Sequence, residues 1–210
     1  MTRIGLISDT HGFLDEKVFS LFENCNEIWH AGDFGNITLA NELKEKTGLP
    51  VKAVFGNIDG QDIRSLYPEN EIFKCEEVKV FITHIGGYPP NYNKRIKPLL
   101  DQHQPQLFIS GHSHILKIMY DEKRNCLHMN PGAAGKQGWH KVRTIIRFAI
   151  EGKEIKDCEV IELGSGELEL GIGDLHWAST TAILRGRQAP TICIGAGQED
   201  RELGIRNWAF

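Results

Sequence analysis

This sequence of 210 residues has no long apolar run, no paired cysteines and no excess of positive charge. No stretch reaches the roughly 20 apolar residues of a membrane helix, and the first apolar run, residues 4–7, is too short for a signal peptide. The five cysteines are scattered without a Cys-x-x-Cys pair, which argues against a disulfide framework and a thiolate zinc site. We therefore expect a cytoplasmic protein with no membrane partner.

The charge balance argues against general binding to nucleic acids. Lysine and arginine number 24 against 28 aspartates and glutamates, so the formal net charge is −4. A surface that binds the backbone of DNA or RNA needs an excess of basic residues. Any recognition of phosphate is therefore expected to be local.

Strands and helices alternate in the first part of the chain. Residues 4–7, 27–31 and 51–55 are apolar runs typical of strands, and residues 14–25 and 37–46 have apolar positions at helical spacing. Gly48 and Pro50 are expected to end the second helix. This βαβ order predicts parallel strands with right-handed connections.

After residue 59 the pattern changes to hairpins. The predicted strands are residues 71–75, 78–83, 106–110, 115–120, 126–129, 142–150 and 155–163, with one helix at residues 92–104. Parallel units followed by hairpins predict an α/β fold in which two packed, mixed sheets are flanked by helices, a four-layer arrangement.

The chain divides into a domain of residues 1–163 and a glycine-rich C-terminal extension of residues 164–210. Glycines at 164, 166, 171, 173, 195 and 197 interrupt every periodicity in the extension before it reaches the length of an element. The extension is either a partner-binding tail or a loosely ordered, even non-native, segment, and we favour the second interpretation.

Seven potential ligand residues follow directly after predicted strands. They are Asp9, His11, Asp33, Asn57, His84, His112 and His114. The carboxyl ends of neighbouring parallel strands meet at one edge of a sheet, so these side chains are expected to converge. Each short motif alone is also compatible with ordinary turn chemistry, but Gly-His-Ser-His is stronger, because two buried histidines need partners.

Carboxylate, imidazole and amide groups together suit a pair of divalent cations. Asp33 is the expected bridging ligand, since one carboxylate neutralises two ions. Manganese is the expected metal, and nickel, zinc and iron accept the same mixture of oxygen and nitrogen ligands. Two such ions hydrolyse phosphate esters by generating hydroxide and offsetting phosphoryl charge.

The motifs Asp-Thr-His-Gly, Gly-Asp-Phe, Gly-Asn-Ile-Asp and Gly-His-Ser-His resemble those of the calcineurin-like metallophosphoesterase superfamily. Within it, the chain is most similar to short bacterial and archaeal phosphodiesterases related to the small retromer subunit, over about residues 1–163. The resemblance implies an αββα sandwich. It implies one ion held by Asp9, His11, Asp33 and His114, and another held by Asp33, Asn57, His84 and His112.

We therefore expect a phosphodiesterase with a bridging hydroxide, a small phosphate ester as substrate, and His84, His112 and Asn57 as catalytic residues. The alternative is a non-catalytic, metal-binding interaction scaffold, as the retromer relationship implies. A homo-oligomer is compatible with either function.

The motif around residue 58 departs from the superfamily. Many members have Gly-Asn-His, where the histidine assists the leaving group, but Ile58 stands there in this chain. Asp59 is either a partial substitute for that acid or a residue that hydrogen-bonds its own loop, and we favour the second role. His30 is expected to be a packed strand residue or to orient a ligand. His140 is expected to lie in a solvated loop rather than to contact substrate.

Overall fold

The computed structural model describes residues 1–166, which form twelve strands and four helices. The strands are β1 Thr2–Ile7, β2 Glu27–His30, β3 Val51–Ala53, β4 Asn70–Cys75, β5 Val78–Thr83, β6 Gly87–Tyr88, β7 Asn91–Tyr92, β8 Leu107–Ile109, β9 Leu116–Asp121, β10 Cys126–Pro131, β11 Val142–Glu151 and β12 Glu154–Ser165. The helices are α1 Lys17–Leu21, α2 Ile37–Thr47, α3 Gln61–Leu66 and α4 Ile96–His103. None of these helices is long and apolar enough to cross a membrane.

Ten of the strands form two five-stranded mixed sheets, as predicted. The first has the order β12-β11-β1-β2-β3, and the second has the order β4-β5-β8-β10-β9. Strands β1, β2 and β3 pair in parallel, as the βαβ pattern predicts, and β4 and β5 form the predicted antiparallel hairpin.

The main core lies between the two sheets. Strand β1 alternates, so that Ile4 and Leu6 face this core and Ile7 faces the helices on the outer side. Trp29 of β2 packs edge-on against Phe148 of β11, with 5.6 Å between ring centroids. The inner faces of the sheets therefore supply most of the buried apolar surface.

Helices cover the two outer faces and complete the four-layer αββα arrangement. Val18 of α1 and Leu43 of α2 pack against the first sheet, and Leu100 of α4 packs against the second. Helix α2 begins where Asn36 Oδ1 accepts a hydrogen bond from Leu39 N and ends at Gly48, whose φ is +66°. The α/β fold class predicted from the sequence is confirmed.

The predicted bounds of two helices were wrong, and two elements were missed. Helix α1 ends at Leu21 rather than at residue 25, because Cys25 N turns back to Phe22 O. Helix α4 begins at Ile96 rather than at residue 92, because Tyr92 belongs to the small β6-β7 hairpin. Helix α3 and that hairpin were not predicted.

The predicted domain boundary at residue 163 stays a prediction. Strand β12 continues two residues beyond it to Ser165, where it still pairs with Val142. The remainder of the predicted extension, with Cys193, lies outside the described residues.

Candidate metal centre

All seven predicted ligands lie at or just beyond the carboxyl ends of five strands. They are Asp9 and His11 after β1, Asp33 after β2, Asn57 after β3, His84 after β5, and His112 and His114 after β8. Because β1 to β3 belong to the first sheet and β5 and β8 to the second, the site lies where the ends of the two sheets meet.

Five of these seven residues have a left-handed backbone. Their φ angles are 53° at Asp9, 48° at His11, 59° at Asp33, 68° at His112 and 57° at His114. A non-glycine residue in this conformation costs about 1–3 kcal/mol and is concentrated at functional sites. The described part of the chain has only nine such residues, so more than half of this strain is at one site.

Asp9, His11 and His114 form a first group, in which the possible ligand atoms all lie within 4.8 Å of one another. His114 Nε2 is 3.2 Å from Asp9 Oδ1 and 3.1 Å from His11 Nε2. The buried Asp9 carboxylate accepts hydrogen bonds from Ser8 Oγ at 2.6 Å and from His112 N at 3.1 Å. These two donors fix its orientation.

Asp33, His84 and His112 form a second group within the same 4.8 Å limit. His84 Nε2 lies 3.1 Å from Asp33 Oδ2 and 3.1 Å from Asn57 Oδ1, so Asn57 joins this group. All seven predicted residues are thus assigned to one group or the other.

The two groups adjoin through their carboxylates. Asp33 Oδ2 is 3.8 Å from His11 Nε2, and Asp9 Oδ1 is 4.0 Å from His84 Nε2. Asp33, the expected bridging ligand, therefore faces both groups, and so does Asp9.

The hydrogen-bond pattern of His84 shows that this position suits a cation. His84 Nδ1 is 2.8 Å from the carbonyl oxygen of Ala31, which only accepts, so Nδ1 carries the proton. In the neutral ring the lone pair of Nε2 then points at Asp33 Oδ2, and two acceptors at 3.1 Å repel. A proton or a metal ion between them makes the contact favourable, so the donor set fits a metal centre.

The acidities of the site residues follow from burial and from their neighbours. Burial opposes the charged form of His84, but the hydrogen bond to Asp33 and the charges of Asp9 and Asp33 outweigh it and raise the pKa. Burial dominates at His11 and His112 and lowers their pKa values. Burial alone would raise the pKa of Asp33, yet the hydrogen bond to His84 holds it below its ordinary value.

Asn130 braces the loop that carries His112 and His114. Its Nδ2 donates to Gly111 O at 2.9 Å and to Ser113 Oγ at 3.1 Å, while its Oδ1 accepts from Gly132 N at 2.9 Å. Both the nitrogen and the oxygen of its amide are hydrogen-bonded to other residues, so Asn130 supports the loop that carries the two histidines.

His30 is both a packed residue and a link to the site. It is fully buried and stacked on Phe34, with 3.6 Å between the ring centroids. Its Nδ1 accepts from Gly32 N, so its Nε2 carries the proton and faces Thr10 Oγ1 at 3.1 Å. Burial lowers its pKa to about 3, so the ring stays neutral.

The expectation of a solvated loop holds for Trp139 and Lys141, which are exposed, but not for the His140 ring between them. Its ring is half-buried and lies edge-on to His114, with 5.3 Å between centroids, and its Nε2 donates to Gly135 O at 2.9 Å. The loop folds back because Gly138, at φ +128°, lies against His114. The glycine at position 138 was the available clue, since only glycine fits such a close approach.

The family of this chain follows from its similarity to known proteins. Residues 2–153 match the Calcineurin-like phosphoesterase superfamily domain. The chain belongs to this superfamily. A probable metallophosphoesterase of Methanothermobacter thermautotrophicus is 29% identical over 167 residues, which cover 77% of this chain and 93% of that protein.

Two solved structures resemble this chain in fold. A novel archaeal phosphodiesterase is 23% identical with a TM-score of 0.63, over 77% of this chain and 99% of that one. Vps29 of Entamoeba histolytica complexed with zinc is 16% identical with a TM-score of 0.61, over 76% and 98% of the two chains. At these identities the likeness shows the fold.

Proposed function

We propose that this metallophosphoesterase is a phosphodiesterase that uses two divalent ions. The observation that carries the proposal is the pair of adjoining groups, in which imidazole nitrogens lie 3.1–3.2 Å from carboxylate oxygens. One ion would be held by Asp9, His11, Asp33 and His114, and the other by Asp33, Asn57, His84 and His112. When bound, such a pair supplies a hydroxide nucleophile at neutral pH and positive charge beside the phosphoryl oxygens.

The chain itself contributes ligand orientation and a restriction on the leaving group. Asp9 is held by Ser8 and His112, and Asp33 Oδ1 accepts from Ile58 N at 3.0 Å, so both carboxylates are fixed in advance. Ile58 has no proton to donate. Its position after Asn57 therefore favours esters whose leaving group departs readily without an acid, such as aryl diesters.

Three further points of the proposal rest on the ligand types and on the charge of the chain. Manganese is the proposed metal, with nickel, zinc and iron as alternatives, because the site mixes oxygen and nitrogen ligands. The net charge of −4 supports a small phosphate ester rather than a nucleic acid as substrate. The fold likeness to an archaeal phosphodiesterase supports a diester over a monoester.

A metal-by-substrate matrix tests the proposal. Protein stripped of metal is supplied with manganese, nickel, zinc or magnesium and assayed on nitrophenyl phosphate, bis-nitrophenyl phosphate and dialkyl phosphates. We expect hydrolysis of the aryl diester with manganese, and loss of it in Asp33→Ala but not in the exposed control Asp62→Ala. Hydrolysis of monoesters alone would overturn the diesterase proposal.

The interaction scaffold is the second candidate, and the fold likeness to Vps29 is the observation that favours it. A scaffold, however, has no need of buried carboxylates and imidazoles whose desolvation only a cation offsets. Absence of hydrolysis with every metal and substrate, together with intact metal binding, would favour the scaffold.

A further inference from the structure

Asp59 is a buried carboxylate that joins two loops of the metal centre. It lies in the loop after β3 and is 3% exposed. Its Oδ2 accepts from Gly56 N at 2.7 Å within its own loop, as expected, and also from Asp33 N at 3.0 Å. Its Oδ1 accepts from Gly35 N at 2.9 Å. Asp33 and Gly35 belong to the loop after β2, so one side chain connects loops that are 24 to 26 residues apart.

The two connected loops carry Asp33 and Asn57, which both belong to the second group. The loops touch: an ideal Cβ on Gly56 would lie 2.0 Å from Asp33 Oδ1. Ile58 N donates to the same oxygen at 3.0 Å, which leaves Oδ2 directed at His84. The direction of the Asp33 carboxylate therefore depends on the distance between the loops.

Only a carboxylate meets the demand at this position. Three backbone N–H groups converge on Asp59, and its two oxygens accept all three without a donor of their own. An asparagine keeps one oxygen but turns its amide nitrogen toward an N–H group, so at least one of the three hydrogen bonds is lost. Alanine loses all three.

We propose that Asp59 is a positioning residue that holds the second group ready for its ion without contacting the ion. The inference rests on the proposed two-ion function. The first group depends on it less, because Asp9, His11 and His114 lie on the loops after β1 and β8 and only the shared Asp33 lies on a loop that Asp59 holds. Asp59 thus differs from a general stabilising residue in acting on one ion more than on the other.

Calorimetric titration of metal-free protein with Mn²⁺ tests this difference. His11→Ala removes a first-group ligand and His112→Ala removes a second-group ligand, so each background retains one principal ion. We expect Asp59→Ala to weaken Mn²⁺ binding in the His11→Ala background by about 10–100-fold, and to weaken it clearly less in the His112→Ala background. Asp59→Asn, which preserves the shape of the side chain, is expected to give a smaller loss of affinity in the same background.

The matched control is Asp62→Ala, three residues further along, because that carboxylate is exposed and its hydrogen bond is to Ile63 N of α3. It is expected to change neither affinity. Equal losses in both backgrounds, or no loss in either, would overturn the positioning role while two-ion binding by the wild type still supports the proposed function. A wild-type protein that binds no metal would overturn both.

Discussion

Two glycine-to-alanine variants distinguish the displacement of a ligand residue from backbone strain. The first variant is Gly56→Ala, which displaces Asp33. The Cβ would lie 2.0 Å from Asp33 Oδ1 and 2.4 Å from Asp33 N. Real Cβ atoms do not approach so closely, so Asp33 must retreat by about 1 Å, and a displacement of that size in a catalytic site costs about 100-fold in rate. Overpacking of this kind also costs about 1–3 kcal/mol of stability.

Gly48→Ala is the matched control. Gly48 ends α2 with a φ of +66°, but a Cβ there meets nothing within 4 Å. We expect this variant to lose about 1–2 kcal/mol of stability from left-handed strain alone, with unchanged kcat/KM. Both variants therefore lose similar stability, and only one loses activity.

The assays are urea denaturation, Mn²⁺ calorimetry and hydrolysis of bis-nitrophenyl phosphate. Gly56→Ala should lower kcat/KM by about 100-fold and lower the affinity for at least one of the two Mn²⁺ ions. If its kcat/KM and both metal affinities matched those of Gly48→Ala, the position of Asp33 would not control the site, and the reasoning from the close loop contact would be refuted.

Three other predictions concern pH, the leaving group and a partly buried ion pair. Burial lowers the pKa values of His30 and His128 from 6.5 to about 3, so the unfolded state binds more protons between these values. The free energy of unfolding should therefore fall by about 1 kcal/mol per pH unit for each histidine as the pH decreases below 6.5, and urea denaturation of wild type and His128→Gln at pH 7 and pH 5 checks this. Ile58→His should raise the rate on dialkyl phosphates by about 100-fold or more, with little change on nitrophenyl diesters, because a general acid helps poor leaving groups most. Arg143→Ala should lower the free energy of unfolding, measured by urea denaturation, by about 3 kcal/mol. The reason is that Asp15, 3.0 Å away, and the carbonyl oxygens of Leu163 and Ser165 in β12 lose their hydrogen-bond donor.

Each of these three has a contradicting outcome. Equal pH slopes for wild type and His128→Gln would show that the buried ring does not resist protonation. A uniform change on alkyl and aryl diesters in Ile58→His would mean that residue 58 does not face the leaving group. Wild-type stability of Arg143→Ala would show that the ion pair is offset by the cost of burying it.

The positions of the seven candidate ligands were predictable because each follows an apolar run. A short apolar segment predicts a buried strand, and the polar residue after it marks the carboxyl end. For Asp33 after β2 and His84 after β5 this reasoning needs no knowledge of the other strands. The α/β class followed in the same way from the alternation of strands and helices.

Features that depend on contacts between distant segments were not predictable. Tyr92 looked helical by spacing but pairs with Gly87, and its hydroxyl donates to Asp121 Oδ2 at 2.6 Å. His140 looked solvated because its neighbours are polar and glycine-rich, yet it packs against His114. In each case a side chain far along the chain, Asp121 for Tyr92 and His114 for His140, holds the residue in a place that the local pattern does not predict.

Residue identity and local periodicity are enough to establish which ligand types are present and that they stand at strand ends. Their grouping depends on how the sheets assemble: His11 meets His114, 103 residues away, and Asp59 reaches Asp33 on a neighbouring loop. The reason is that strand order within the sheets and the packing of one sheet on the other set these distances, and local spacing along the chain carries no information about either.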